Sequence, residues 1–179
     1  MRRMTTAATA AAAAALLAGG IAAGTANAAE PAAAATPTCA VSGLRITLDD
    51  NGNGPAQHGM NHEGTYLRFK NTTGTTCALR GYPGLGLEKA GHAKAATDVR
   101  WGSTYFAQDP GKKTVYLKSD ASAWADLVWT HTGANAVHAK YLEVTPPAAT
   151  AHRTLAFDKI VDNGTLNVTS LSATPPATG

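Results

Sequence analysis

The sequence predicts an all-β protein: an antiparallel β-sandwich closed by one disulfide. Three observations carry the prediction. Apolar residues alternate with polar ones in many short runs, the period of two that marks a strand with one buried face. Clusters of turn formers separate the runs. The chain has two cysteines, and its N-terminus reads as an export signal, so the pair is expected to meet in an oxidising compartment.

The export reading rests on the first 28 residues. Arg2 and Arg3 are followed by no charge until Glu30, Leu16, Leu17 and Ile21 sit in an Ala-rich run, and Ala26-Asn27-Ala28 is a small-residue cleavage site before Ala29. This is the plan of a secretory signal peptide. Met4-Thr5-Thr6 after the arginines favours the general secretory route over the twin-arginine one. The expected organisation is a signal peptide over 1–28, a flexible Ala/Pro/Thr leader over 29–38, a sandwich domain over 39–171 and a disordered tail over 172–179. The protein is expected to be secreted, monomeric and free of the membrane once cleaved.

Charge excludes one class of partner. The formal net charge of +3 comes from 15 basic and 12 acidic residues. Removing Arg2 and Arg3 leaves 13 against 12, or +1, too little for a nucleic-acid footprint.

The strands follow in order. Leu44, Ile46 and Leu48 alternate with Arg45 and Thr47, and Leu67 and Phe69 with Tyr66, Arg68 and Lys70. Later runs are Val115/Leu117, Leu142/Val144, Leu155/Phe157 and Leu166/Val168. Ser119–Trp129 has alanines that favour a helix, but Ala123, Ala125, Leu127 and Trp129 share a strand face, so a strand is expected. Turn clusters lie at Asp50–Gly54, Thr73-Gly74, Tyr82-Pro83-Gly84, Asp109-Pro110-Gly111, Thr132-Gly133 and Asp162-Asn163-Gly164. Asn163-Gly164 is a hairpin signal. In the Tyr82-Pro83-Gly84 turn Pro83 fixes its φ and Gly84 can take a positive one. The sum is about eight or nine strands, the count of a sandwich.

Cys39 and Cys77 are expected to bond. The bridge closes about 38 residues, worth roughly 4 kcal/mol by loss of unfolded-chain entropy.

The residues from Phe69-Lys70-Asn71-Thr72-Thr73-Gly74 through Cys77-Ala78-Leu79-Arg80-Gly81-Tyr82-Pro83-Gly84, with Thr38-Cys39-Ala40 before and Ala123–Trp129 after, resemble the secreted actinobacterial domain-of-unknown-function family four-two-three-two. The resemblance covers about residues 38–170. It implies an immunoglobulin-like sandwich with one disulfide and no assigned activity. Independently of it, Asn71-Thr-Thr-Gly reads as a strand end and turn, and Tyr82 as a ring packed on the core with a bonded hydroxyl.

Candidates for chemistry are few. His58, Met60 and His62 would face one way on an extended segment, a donor set suited to copper. Asp49, Asn51, Asn53 and Gly54 copy half an EF-hand loop, but its twelfth position is Met60 where a bidentate Glu is needed. No Gly-x-Ser-x-Gly, Walker loop, dinucleotide fingerprint or zinc cluster occurs. Asp98, Asp109, Asp126 and Asp158 are scattered acids, and His92, His131, His138 and His152 read as surface loop residues. Trp124 and Trp129, five apart, point to opposite faces of a strand, with Trp124 the exposed one. The reading is a secreted, non-catalytic module without cofactor, binding an extracellular or cell-wall partner; the alternative is a copper-binding protein using His58, Met60 and His62.

Overall fold

The computed structural model describes residues 35–49 and 57–177. The expected signal peptide, most of the expected leader, and Asn51, Asn53 and Gly54 of the calcium reading lie outside the described residues. Among the described residues there are eleven strands: β1 (Leu44–Leu48), β2 (Gln57–Gly59), β3 (His62–Asn71), β4 (Cys77–Arg80), β5 (Gly84–Glu88), β6 (Asp98–Trp101), β7 (Thr114–Leu117), β8 (Ser122–Thr130), β9 (Val137–Thr145), β10 (Arg153–Val161) and β11 (Thr165–Val168). The strands with no period-two signal, β2, β4, β5 and β6, are three to five residues long.

β3 pairs with three strands of a six-stranded sheet. β1 and β2 both pair with one of its sides, β1 opposite Leu67–Asn71 and β2 opposite His62–Gly64. β8 pairs along the other side. β11 follows β8, and β6 joins β11. This last pair is parallel, a departure from the antiparallel pattern the sequence predicts. The strands are remote in sequence, so no tight turn dictates their direction. Two antiparallel sheets, β10-β9-β5 and β4-β7, complete the all-β fold.

One apolar core draws on all three sheets. Large residues of β3 face small ones of β8: Phe69 pairs with Ala123 and Leu67 with Ala125, and all four are fully buried. The alanines that suggest a helix are thus the small halves of cross-strand pairs. Trp129 meets Phe157 of β10 edge-on at 4.9 Å, joining two sheets across the core.

The Asn-Thr-Thr-Gly stretch has a more specific role than a turn. Asn71 is fully buried. Its amide donates to the carbonyls of Thr75 (2.8 Å) and Leu117 (2.9 Å), and its Oδ1 accepts from the Thr73 amide (2.9 Å) and hydroxyl (2.7 Å). One side chain therefore closes the turn and ties it to the end of β7. Cys39 and Cys77 are disulfide-bonded, with Cα atoms 4.9 Å apart, and Cys39 N donates to Ala78 O alongside. Two turn expectations need correction. The positive φ in Gly81–Gly84 belongs to Gly81 (105°), because Gly84 already belongs to β5. Asn163 and Gly164 do take positive φ (53° and 67°), but they link β10 to β11 in a different sheet rather than forming a hairpin.

Candidate functional site

The face of the β3–β8 pair turned away from the core carries His62, Gly64, Tyr66 and Arg68 on β3, and Trp124, Asp126 and Val128 on β8, by the register of the pairs. Alternation predicts a wet face. Instead Asp126 and Val128 are fully buried, because the loop of residues 102–110 lies over them, while residues 172–177 lie over Trp124 and Tyr66.

Two glycines make this cover possible. At Gly64 a Cβ would overlap the Gln57 side-chain oxygen and stand 3.0 Å from Phe106 and 3.1 Å from Val128. At Gly59 it would stand 2.9 Å from Tyr105 and 3.0 Å from Phe106. The β2–β3 hairpin is bare where the Tyr105-Phe106 pair lands. Tyr105 also stacks on His62, centroids 4.0 Å apart and planes within 9°.

The loop is knit by its own hydroxyls. Thr104 Oγ1 accepts from the amides of Ala107 (3.0 Å) and Phe106 (3.3 Å) and reaches Asp126 Oδ2. Ser103 Oγ accepts from the Asp109 amide at 3.0 Å. Asp126 Oδ1 and both polar atoms of the Gln57 amide are buried with no hydrogen-bond partner among the described residues. Burial pushes the Asp126 carboxyl up; the Thr104 hydroxyl and nearby Gln57 amide oppose this without cancelling it. Burial, then the charge of Asp126, raises Tyr66.

Between the loop and the last residues lies an open cleft of about 510 Å³, lined by Tyr105, Gln108, Asp109, Ser172, Thr174 and Pro176 among others. Asp109 joins it to an aromatic platform. Its Oδ2 accepts from the Tyr82 hydroxyl at 2.7 Å, and its Oδ1 from the Ser170 amide and hydroxyl at 2.7 and 2.8 Å. Burial raises the Asp109 carboxyl, but these hydrogen bonds outweigh it and the net shift is down. Trp101 stacks on Tyr82 at 5.8 Å and is 62% exposed. Lys112 stands over the other ring of that stack, 5.4 Å from the Tyr82 centroid.

A family model described as a domain of unknown function (DUF4232) matches residues 39–175. The chain belongs to that family. No curated protein and no solved structure matches the sequence. The family match takes in the disulfide, the Asn71 turn, the loop that covers β3 and β8, and the first part of the segment after Leu171.

Within this family fold the predicted site residues separate. The His58–Met60–His62 segment is not extended: the chain reverses at Met60-Asn61, where Met60 has φ 53°. Gly59 pairs with His62 and His58 with Glu63, so the two imidazoles project from opposite faces of the hairpin. Met60, 93% exposed, sits at its tip. The common orientation on which the copper reading depends is not present. Trp129 is 1% exposed, as its face predicts. Trp124 is half-buried under Arg68, whose guanidinium lies 5.0 Å from the ring centre. The exposed indole is Trp101, which alternation did not single out; its place at the end of a short strand, just before Gly102-Ser103, is the signal that marks it.

Two of the histidines are not loop ornaments. His92 Nδ1 lies 2.8 Å from Glu88, and Lys94 Nζ 3.0 Å. Lys94 also contacts Glu143, which receives His152 Nε2 at 2.9 Å. The hydrogen bonds from His92 and then Lys94 hold Glu88 down to about 2. The scattered acids have separate tasks: Asp98 pairs with Arg100 (3.0 Å), Asp158 with Lys140 (2.7 Å), and Asp109 and Asp126 serve the covered face.

Proposed function

We propose that this protein is an exported, non-catalytic binding module, and that its ligand surface is the cleft beside the Trp101–Tyr82 platform. One observation carries the reading. A large exposed indole is held on Tyr82, whose hydroxyl is fixed by Asp109, itself fixed by Ser170. An aromatic anchor ordered before contact loses little freedom on binding. The cleft next to it offers Gln108, Asp109 and Ser172 as hydrogen-bonding groups, the mixture of apolar surface and sparse polar groups that ligand sites use. Export is supported by the Arg2-Arg3 and Ala26-Asn27-Ala28 signals and by a disulfide that an oxidising compartment preserves.

The test is capture from culture supernatant and cell-wall extract on the purified mature domain, with Trp101→Ala as the test variant and Met60→Ala, at the exposed tip of the β2–β3 hairpin, as the control. A partner retained by the native domain and lost by Trp101→Ala supports the reading. Equal capture by all three proteins, or none by any, rejects it. The export half stands if the secreted protein begins at Ala29 by intact mass.

A further inference from the structure

The chain does not leave the domain at Leu171. Ser172 exchanges two backbone hydrogen bonds with Trp124, each 2.9 Å, and its hydroxyl reaches the Thr174 carbonyl. Four residues on, Tyr66 Oη donates to the Pro176 carbonyl at 2.9 Å. Pro176 is buried, while Ala173, Thr174 and Pro175 are exposed. Beneath this contact Tyr66 stands edge-on to Trp124, centroids 6.4 Å apart, with Arg68 over the indole.

Pro175 and Pro176 have no amide hydrogen, so this segment cannot extend the sheet as a strand. It is held by a buried ring and by a phenol donating to a proline carbonyl. Aromatic grooves recognise extended proline segments by this combination, and a proline pair costs little to order because its φ angles are already restricted. We infer that the outer face of the β3–β8 pair is a groove for an extended Ala/Thr/Pro peptide segment of a partner polypeptide, and that residues 174–177 occupy it in cis. The inference rests on the reading of the protein as a binding module and adds a second surface, beneath the segment that forms one wall of the cleft. Tyr66 supplies the donor, Trp124 the wall, and the tail is a displaceable occupant. Its exposure on three of the residues between Leu171 and Pro176 leaves it open to exchange.

The probe is the synthetic peptide Ala-Thr-Pro-Pro-Ala-Thr-Gly, titrated by tryptophan emission. The host is the full mature chain carrying Pro175→Ala and Pro176→Ala, which weakens the cis occupant and keeps the chain length. The peptide is expected to bind this variant at least ~10-fold more tightly than the native chain, because a tethered competitor acts at high effective concentration. Adding Tyr66→Phe is expected to weaken binding by roughly three- to tenfold, the worth of one hydrogen bond. An all-alanine peptide is expected not to bind. If the double variant does not fold, NMR on the native chain gives the same answer: with excess peptide, the Thr174 and Ala177 resonances move toward their free-peptide positions. No binding to a folded variant, indifference to Tyr66→Phe, or tail resonances that stay put would each overturn the inference. If Trp101-dependent capture survives such a result, only the groove is wrong; if it fails too, the binding reading falls with it.

Discussion

The two faces of the β3–β8 pair are built from the same strands and solved differently. The inner face is a closed apolar interlock, Leu67 on Ala125 and Phe69 on Ala123, with Trp129 against Phe157. The outer face buries nearly as much in places, but with His62, Tyr66, Trp124 and Asp126, and its cover is a loop and a terminal segment rather than a second sheet. The first arrangement maximises dispersion, and its unpaired buried polar atoms are the Thr65 hydroxyl and Trp129 Nε1. The second leaves Asp126 Oδ1 and the Gln57 amide unpaired, costs stability, and has exchangeable parts. Binding surfaces come from the second kind of face.

The contrast can be broken by substitution. Phe69→Ala on the inner face should cost about 3–5 kcal/mol, the range for a fully buried phenylalanine in a packed core, as read by urea denaturation. A loss comparable to that of an exposed residue would mean the inner face is not the core. Gly64→Ala should cost about 1–3 kcal/mol, since the added methyl must displace Gln57, Phe106 or Val128. Its distinctive mark is a raised proteolysis rate within 102–110, and a loop left fully protected would argue against this account of the cover.

The carboxylates sharpen the contrast by pH. Asp126 has a folded pKa above its ordinary 3.8, mainly through burial. The native state then binds more protons than the unfolded state between those two values, and stability falls as pH rises through that window. Asp126→Asn removes this dependence, so its melting temperature relative to the native protein should climb from pH 3 to pH 7; a flat or descending difference contradicts the assignment. Asp162 is the opposite case. Burial pushes it up, but the hydroxyl and amide of Thr132 and the amide of Gly133 outweigh burial and hold it at about 2. Its stabilisation is complete above 3.8 and lost as pH falls toward 2, so Asp162→Asn should destabilise at pH 7 and make little difference at pH 2. The smallest effect is expected at Trp101: Trp101→Ala should shift stability by no more than about 0.5 kcal/mol while abolishing partner capture. A large loss of stability there would make the platform structural.

Legibility followed the length and regularity of each element. β1, β3, β8 and β9 carry several alternations and are readable from their residues alone. β2 and β6 are too short to show a period, and both border the covered face, which is why the site was the hardest part to see. Asp126 looks like an ordinary solvent-facing strand residue, because nothing in Ala125-Asp126-Leu127 tells of a loop folded over it by Thr104, 22 residues upstream. His58 and His62 mislead for a related reason: spacing of four implies a shared face only if the strand between them does not turn.

Alternation and turn chemistry by themselves determined an all-β chain, most long strands, the inward set of β8 and the Cys39–Cys77 bond, because each depends on local geometry or on there being just two cysteines. The tertiary structure alone decided the parallel β6–β11 pair, the exposure of Trp101, the burial of Asp126 and the seat of Pro176 on Tyr66. These are contacts between segments far apart in the chain, and a period-two pattern says which side a residue faces but not what comes to cover it.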